Sequence, residues 1–302
     1  MLPTYYQAAQ KGFLDPAARP DICRTQVPLL TYHGHRGFRQ YGGKLAIEAG
    51  VAWAREHGRC ILTVQTIHHL GRMGHFGELA AHAGVWQLAF TNMIDRTPVM
   101  ALFGGAEVRI TTNPLCFAGP LPDGRPPCCW TWRPVRSHRT RRACWRQPAR
   151  PRQKGRSSMP LTGHATTDPG VLFTDPPGAL LPFGAHKGKA LGLVAELLAG
   201  VLSGGGTIQP EHPQPGGLIN NMFAVLFDPR AHGSEAAQAR QNAAFIEYLL
   251  SCPPLKGGEE VQYPGEFDAA NRARHGEHIE LDEGLYDGPN DLAKTVGVSL
   301  KQ

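Results

Sequence analysis

Residues 60–83 constrain the fold of this chain more than any other stretch. An apolar run, Cys60-Ile61-Leu62-Thr63-Val64-Gln65, reads as a buried strand. It leads into His68-His69-Leu70-Gly71-Arg72-Met73-Gly74-His75-Phe76-Gly77, and residues 78–83 then read as a short helix. Three imidazoles and three glycines in ten residues thus fall at a strand-to-helix junction. Open α/β sheets place their ligands at such junctions. Glycine lets backbone come close to a ligand, and histidine changes charge near neutral pH. The flanks continue the alternation. A strand at 27–32 and a turn at 33–38 precede an amphipathic helix at 42–57, with Leu45, Ala49, Ala52 and Trp53 on one face and Gly58 as its stop. A strand follows at 85–91. The class is α/β.

The rest of the chain reads in the same way. Residues 2–11 form a helix. Phe183-Gly184-Ala185-His186-Lys187-Gly188 leads into an apolar helix through Leu202, interrupted by Glu196 and stopped by Gly204-Gly205-Gly206. Residues 218–227 form a strand closed by Asp228-Pro229, 234–250 a helix, 261–266 a short strand and turn, and 290–296 a last short helix. There is no internal repeat. The longest apolar run is too short to cross a bilayer, and no signal peptide is visible, so no membrane partner is expected. Seven cysteines without framework spacing point to a reduced, cytoplasmic setting.

The net charge of +6 is the work of one segment. Residues 128–162 hold nine Arg, one Lys, three of the five Trp and no acid, so the remainder is mildly acidic. Arginine with aromatics can make a nucleic-acid arm, which is the rival reading of this segment. A zinc site from Cys128, Cys129, His138 and Cys144 is disfavoured because adjacent cysteines lack the chelate spacing.

Elsewhere the motifs are weak singly. No strand–GxGxxG–helix fingerprint occurs. His69 and His75 lack the helical spacing and glutamate of a zinc protease, so no metal is expected there. Lys187 starts a helix, where a cation is electrostatically unfavourable; a bound phosphate or carboxylate would account for it.

Together, Gly37-Phe38, His68-His69-Leu70-Gly71, Phe103-Gly104-Gly105, Thr112-Asn113-Pro114, Thr166-Thr167-Asp168-Pro169, His186-Lys187-Gly188 and Pro264-Gly265-Glu266 resemble, in order, the motifs of the malate/L-lactate dehydrogenase family. The resemblance covers residues 2–127 and 163–302. It implies a single family unit with a mixed sheet and flanking helices, sulfolactate-dehydrogenase-like and not a Rossmann fold. It further implies NAD or NADP as cofactor, a small 2-hydroxy acid and its 2-oxo acid as substrates, and a homodimer. By the same resemblance His69 is the acid/base, and Asn113, His186, Lys187, Gly265 and Glu266 are cofactor-contacting positions. Lys189 stands where the family has an aromatic. The family's Ser-His-Gly histidine precedes the segment that resembles residues 2–6, so the resemblance implies that this chain starts after it.

Where the family has Leu-Leu-Leu-Asp-Met-Ala-Thr-Ser, this chain has Cys128-Cys129-Trp130-Thr131-Trp132-Arg133-Pro134-Val135. The genetic code connects the two. Read one base earlier, Cys before Cys or Trp gives Leu, Trp130 before Thr131 gives Asp, and Thr131-Trp132 allows Met. At the far end Met159-Pro160 gives Ala. Residues 128–162 therefore read as a family segment in the wrong frame, expected to be irregular, to expose Trp130, Trp132 or Trp145, and to impair activity. A non-catalytic relic that keeps the fold is the alternative.

Overall fold

The computed structural model describes residues 2–135, 158–159, 166, 168–174, 177–212, 217–276 and 283–298. Strands β1 (Asp21–Gln26), β2 (Leu29–His33), β3 (Arg59–His68), β4 (Trp86–Ile94), β7 (Leu115–Gly119), β8 (Cys128–Trp132) and β11 (Ile219–Phe227) form a seven-stranded sheet in the order β1-β2-β3-β11-β4-β7-β8. Strands β5 (Met100–Ala101), β6 (Val108–Ile110), β9 (Ser158–Met159) and β10 (Ala179–Leu180) form a smaller sheet in the order β6-β5-β10-β9. The large sheet is mixed: β2 and β3 are parallel and its other pairs antiparallel. A parallel pair requires a crossover, and the amphipathic helix α2 (Arg39–His57) supplies it. This is the α/β architecture expected.

The core lies where α2 and α3 (Met73–His82) cover the middle of the sheet. Leu62 and Val64 of β3 and Ala224 and Leu226 of β11 meet Ala46, Ile47 and Ala54 of α2 and Phe76 and Ala80 of α3, all essentially inaccessible. Each large apolar side chain so buried stabilises the fold by about 1.5–3 kcal/mol. Gly43 on α2 makes room for Phe76; a Cβ there would stand 2.6 Å from the ring.

Two departures from the sequence expectations stand out. Residues 261–266 make no strand: Pro264 has no N–H to pair and Gly265 takes φ +104°, after which helix α6 (Glu266–Arg274) begins. Residues 128–132, expected to be irregular, form the edge strand β8, each residue paired with β7. Cys, Trp and Thr suit a pleated strand, and Cys129 is buried under α3 while Trp130 stays 37% exposed. Most of the remaining segment, Trp145 included, lies outside the described residues.

Beyond the apolar core lies a buried polar one. Helix α4 (His186–Ala195) widens into π-helical turns over Glu196–Leu202. Its first π residue, Glu196, is 5% exposed and accepts bonds from Asn92 Nδ2 at 2.9 Å and Asn113 Nδ2 at 2.8 Å. Asn221 Nδ2 donates to Asn92 Oδ1, and Asn221 Oδ1 accepts from the Thr66 backbone N–H. Desolvation raises the Glu196 carboxyl above its ordinary value, against the lowering effect of the Asn bonds. A raised folded-state pKa means that stability from this group is present below the ordinary value of 4.5 and is lost as pH rises through the folded one. Glu196→Gln should therefore gain stability relative to the parent chain as pH rises from about 4.5 towards 7. Urea unfolding of both proteins across that range checks it; a difference independent of pH would contradict the assignment.

Candidate active site

Strand β3 carries His68 as its last residue and releases His69 one position beyond its end. His68 is buried, with its ring edge-on to Tyr5 at 5.3 Å. His69 is half-buried, and its Nδ1 lies 3.1 Å from the Tyr5 hydroxyl. Tyr5 belongs to helix α1 (Leu2–Gln10), whose buried Tyr5 and Ala8 cluster with Leu14 of the following loop. The turn after His69 is held from the opposite side. The Leu70 N–H donates to Asn220 Oδ1 at 2.6 Å, and Asn220 Nδ2 donates to the Asn92 carbonyl at 2.6 Å. Gly71 then takes φ +76° and α3 begins at Met73, earlier than the apolar pattern implied.

Helix α3 connects this junction to α6. Glu78 accepts from Arg72 at 2.8 Å and from Arg272 of α6 at 3.0 Å, and Arg72 also lies 3.5 Å from Asp268. Burial pushes the Glu78 carboxyl up, but the two guanidinium bonds outweigh it and hold the group below its ordinary value. On its inner face α3 lies on β7 and β8. Gly77 leaves room for Cys116 Sγ and the Ala118 methyl, and Cys129 Sγ donates to the Gly74 carbonyl at 3.6 Å.

Strand β8 joins the remaining pieces. At one end the Cys129 N–H donates to the Pro264 carbonyl at 2.9 Å, directly before Gly265 and Glu266. At the other, the Pro134 carbonyl accepts from the Phe183 N–H at 3.0 Å, and the Trp132 ring lies 4.0 Å from that of Phe183. Phe183 opens the turn that starts α4 with His186 and Lys187. Both are exposed, and His186 lies 6.1 Å from the Phe103 ring, so the Phe103-Gly104-Gly105 turn borders them. His69, Gly265 and Glu266 are thus linked through α3 and α6, while His186 and Lys187 hang on the far end of the same β8. Asn113 is placed differently: it is 0% exposed, and its amide is committed to Glu196 and the Gly192 carbonyl. Its side chain supports α4 from beneath instead of facing a ligand.

The residues present fit a dinucleotide. The N-terminus of α4 has no side-chain cap and carries exposed Lys187 and His186, a combination that suits a pyrophosphate. α6 carries Glu266 and Asp268 in its first turn, which suits ribose hydroxyls and not a phosphate. Glu266 Oε2 accepts from the Tyr263 N–H at 3.2 Å, which orients the carboxylate. Three contributors were missed in the sequence. Tyr5 gave no signal at a separation of 64 residues. Asn220 and Asn221 did, as adjacent polar residues within an apolar strand.

The chain matches the family described as malate/L-lactate dehydrogenase over residues 1–129 and 159–288. It is 44% identical over 300 residues to L-lactate dehydrogenase of Cupriavidus necator, covering 99% of this chain and 86% of that one. It is 30% identical over 301 residues to hydroxycarboxylate dehydrogenase B of Escherichia coli K12, covering 99% and 82%. Its fold matches the structure of sulfolactate dehydrogenase from Methanocaldococcus jannaschii with a TM-score of 0.81 at 23% identity, over 99% of this chain and 84% of that one. The family match omits residues 130–158, the centre of the arginine-rich segment.

Gly265 offers a test of the β8–α6 junction. Its φ of +104° is open only to glycine, and a Cβ would overlap the Pro127 carbonyl oxygen and stand 2.9 Å from the Cys129 nitrogen. Gly265→Ala should destabilise the chain by about 1–3 kcal/mol, read as a lowered urea midpoint at unchanged slope. An unchanged midpoint would show that the junction tolerates a side chain.

Proposed function

Because the chain belongs to the malate/L-lactate dehydrogenase family, a family of oxidoreductases acting on CH–OH groups, we propose that it interconverts a small 2-hydroxy acid and its 2-oxo acid with NAD or NADP. L-lactate is the first substrate to test, given the name of the C. necator relative, and malate the second. The observation that carries the reading is the Tyr5–His69 pair at the end of β3, joined through α3 to α6, whose first turn Arg72 meets at Asp268 and whose last turn Glu78 meets at Arg272. The nicotinamide supplies the hydride acceptor. His69 takes the hydroxyl proton as the carbon loses hydride, and returns it in the reverse direction. Tyr5 orients the ring through Nδ1. Lys187 and the uncapped α4 terminus hold the pyrophosphate, His186 flanks it, and Gly265 and Glu266 hold the ribose. Asn113 contributes by packing under α4.

We further propose that the enzyme works as a cytoplasmic homodimer. Leu193, Leu197, Val201 and Leu202 project from α4 and its π-helical continuation, each about half exposed or more. Such an apolar ridge favours a protein partner. The frame reading of 128–162 is supported by the gap in the family match at 130–158.

In this reading Thr131-Trp132-Arg133 replaces Asp-Met-Ala beside the cofactor. An indole and a cation there obstruct nicotinamide placement, and loss of alignment is costly. The gene with 128–162 restored to the family frame should turn over L-lactate or malate, followed by NAD(P)H absorbance, and the present chain should turn over far more slowly. His69→Gln in the restored enzyme should lower kcat by about 10²–10⁴-fold. Undiminished activity of His69→Gln would remove His69 from the mechanism; equal rates of the restored and present chains would show the segment to be dispensable.

A further inference from the structure

At the outer edge of the large sheet, Asp21, His33 and His35 form a cluster that the dehydrogenase reading does not use. Asp21 opens β1 and His33 closes β2, and the two are register partners across the ladder. His35 follows in the turn with φ +47°, which folds its ring back over His33. The ring centroids are 4.1 Å apart. One ligand atom from each of the three residues can be chosen so that all lie within 4.8 Å of one another.

The hydrogen bonds within the cluster leave one contact unmatched in either neutral form of His35. The His35 backbone N–H, which can only donate, points at His33 Nδ1 at 3.2 Å, so that nitrogen presents a lone pair. His35 Nδ1 faces the same lone pair at 3.0 Å, and His35 Nε2 faces Asp21 Oδ1 at 2.5 Å. A neutral His35 has one N–H. Placed on Nε2, it satisfies Asp21 and leaves two Nδ1 lone pairs opposed. Placed on Nδ1, it leaves an Nε2 lone pair against the carboxylate. Either neutral tautomer is frustrated, and a positive charge between the rings resolves it.

We propose that this cluster is a binding site for a divalent transition-metal ion of the zinc class, held by His33 and His35 through Nδ1 with water completing the shell, the ion taking the His33 lone pair that the His35 backbone N–H otherwise meets. Two zinc–nitrogen bonds of about 2.0–2.1 Å at the tetrahedral angle place the nitrogens about 3.3–3.4 Å apart, so the 3.0 Å observed has to open by a few tenths of an ångström to admit the ion. Asp21 accepts from His35 Nε2–H and so fixes the ligating tautomer, the carboxylate–histidine–metal arrangement common at such sites. Two imidazole ligands favour zinc, nickel or copper over magnesium or calcium. Asp21 and His35 are 65% and 46% exposed, so the ion enters from solvent without rearrangement of the sheet. The competing occupant is a single proton shared by the two rings.

Calorimetric titration of the chelator-treated chain with zinc chloride separates the two. One zinc should bind per chain. His33→Ala and His35→Ala should each lower its affinity by about tenfold or more, and Asp21→Asn by about tenfold, the scale of losses at supporting shells. The exposure of Asp21 and His35 keeps D21N and H35A folded, which far-UV dichroism verifies. Because the chain has 14 histidines, the readout is the difference between the parent chain and each variant, not zinc uptake itself. Absence of a saturable zinc site, or equal affinity in H35A, would overturn the proposal and leave the proton as sole occupant. Unchanged affinity in D21N would overturn the role given to Asp21.

Discussion

The hydrogen bonds of Asn92, Asn220 and Asn221 hold the rest of the site in place. β11 lies between β3 and β4, and its two asparagines reach both neighbours. Asn220 grips the Leu70 N–H, fixing the turn that follows His69. Asn221 grips the Thr66 N–H, where β3 takes φ +55° and the ladder with β11 shifts register. An apolar residue at either position would leave buried backbone donors unsatisfied, each at a cost of about 1–3 kcal/mol. Through Asn92 the same network reaches Glu196, so the end of β3 and the underside of α4 share one buried set of partners. The catalytic candidate and the helix proposed to hold the pyrophosphate are therefore positioned by a common polar core, although no motif spans them.

The legible parts of the chain were those with periodicity. β3, β11, α2 and α5 (Glu235–Leu250, capped by Ser234) follow their apolar patterns. β1 was missed because all six of its residues are exposed; an edge strand with no buried face has no alternation to read. α6 was missed for the same reason, having no buried residue. Its existence rests on the Arg272–Glu78 bond and the Gly265 turn, neither visible in a local window. For the site, His69 and Lys187 stood out through chemistry at element ends, and Glu266 only through the family resemblance. Tyr5 and the asparagine network depend on pairings across the fold.

The helix through Leu202 shows how a noted irregularity can carry structural meaning. Glu196 first appeared only as an interruption of an apolar run. In the structure it marks the change from α to π turns, where the wider helix brings its carboxylate beneath the Asn92 and Asn113 amides. The leucines and valines around it face two ways. Ala195 and Ala199 are buried, whereas Leu193, Leu197 and Val201 are left outside. The apolar character that reads as core is thus divided between an inner face of small residues and an outer ridge.

β8 separates what a strand needs from what a cofactor needs. Pairing with β7 uses backbone groups alone, and any sequence of adequate β propensity can supply them. Cys-Cys-Trp-Thr-Trp does so, and even fills the space under α3 with the Cys129 thiol. The Cys129 bond to Pro264, and that of Phe183 to Pro134, hold the two segments proposed to bind the cofactor beside one strand whichever side chains it bears. Contact with a nicotinamide has no such tolerance, since it depends on the size and charge of particular side chains. The shift in reading frame proposed for this stretch would therefore leave the edge of the sheet in place while replacing the surface proposed to meet the cofactor.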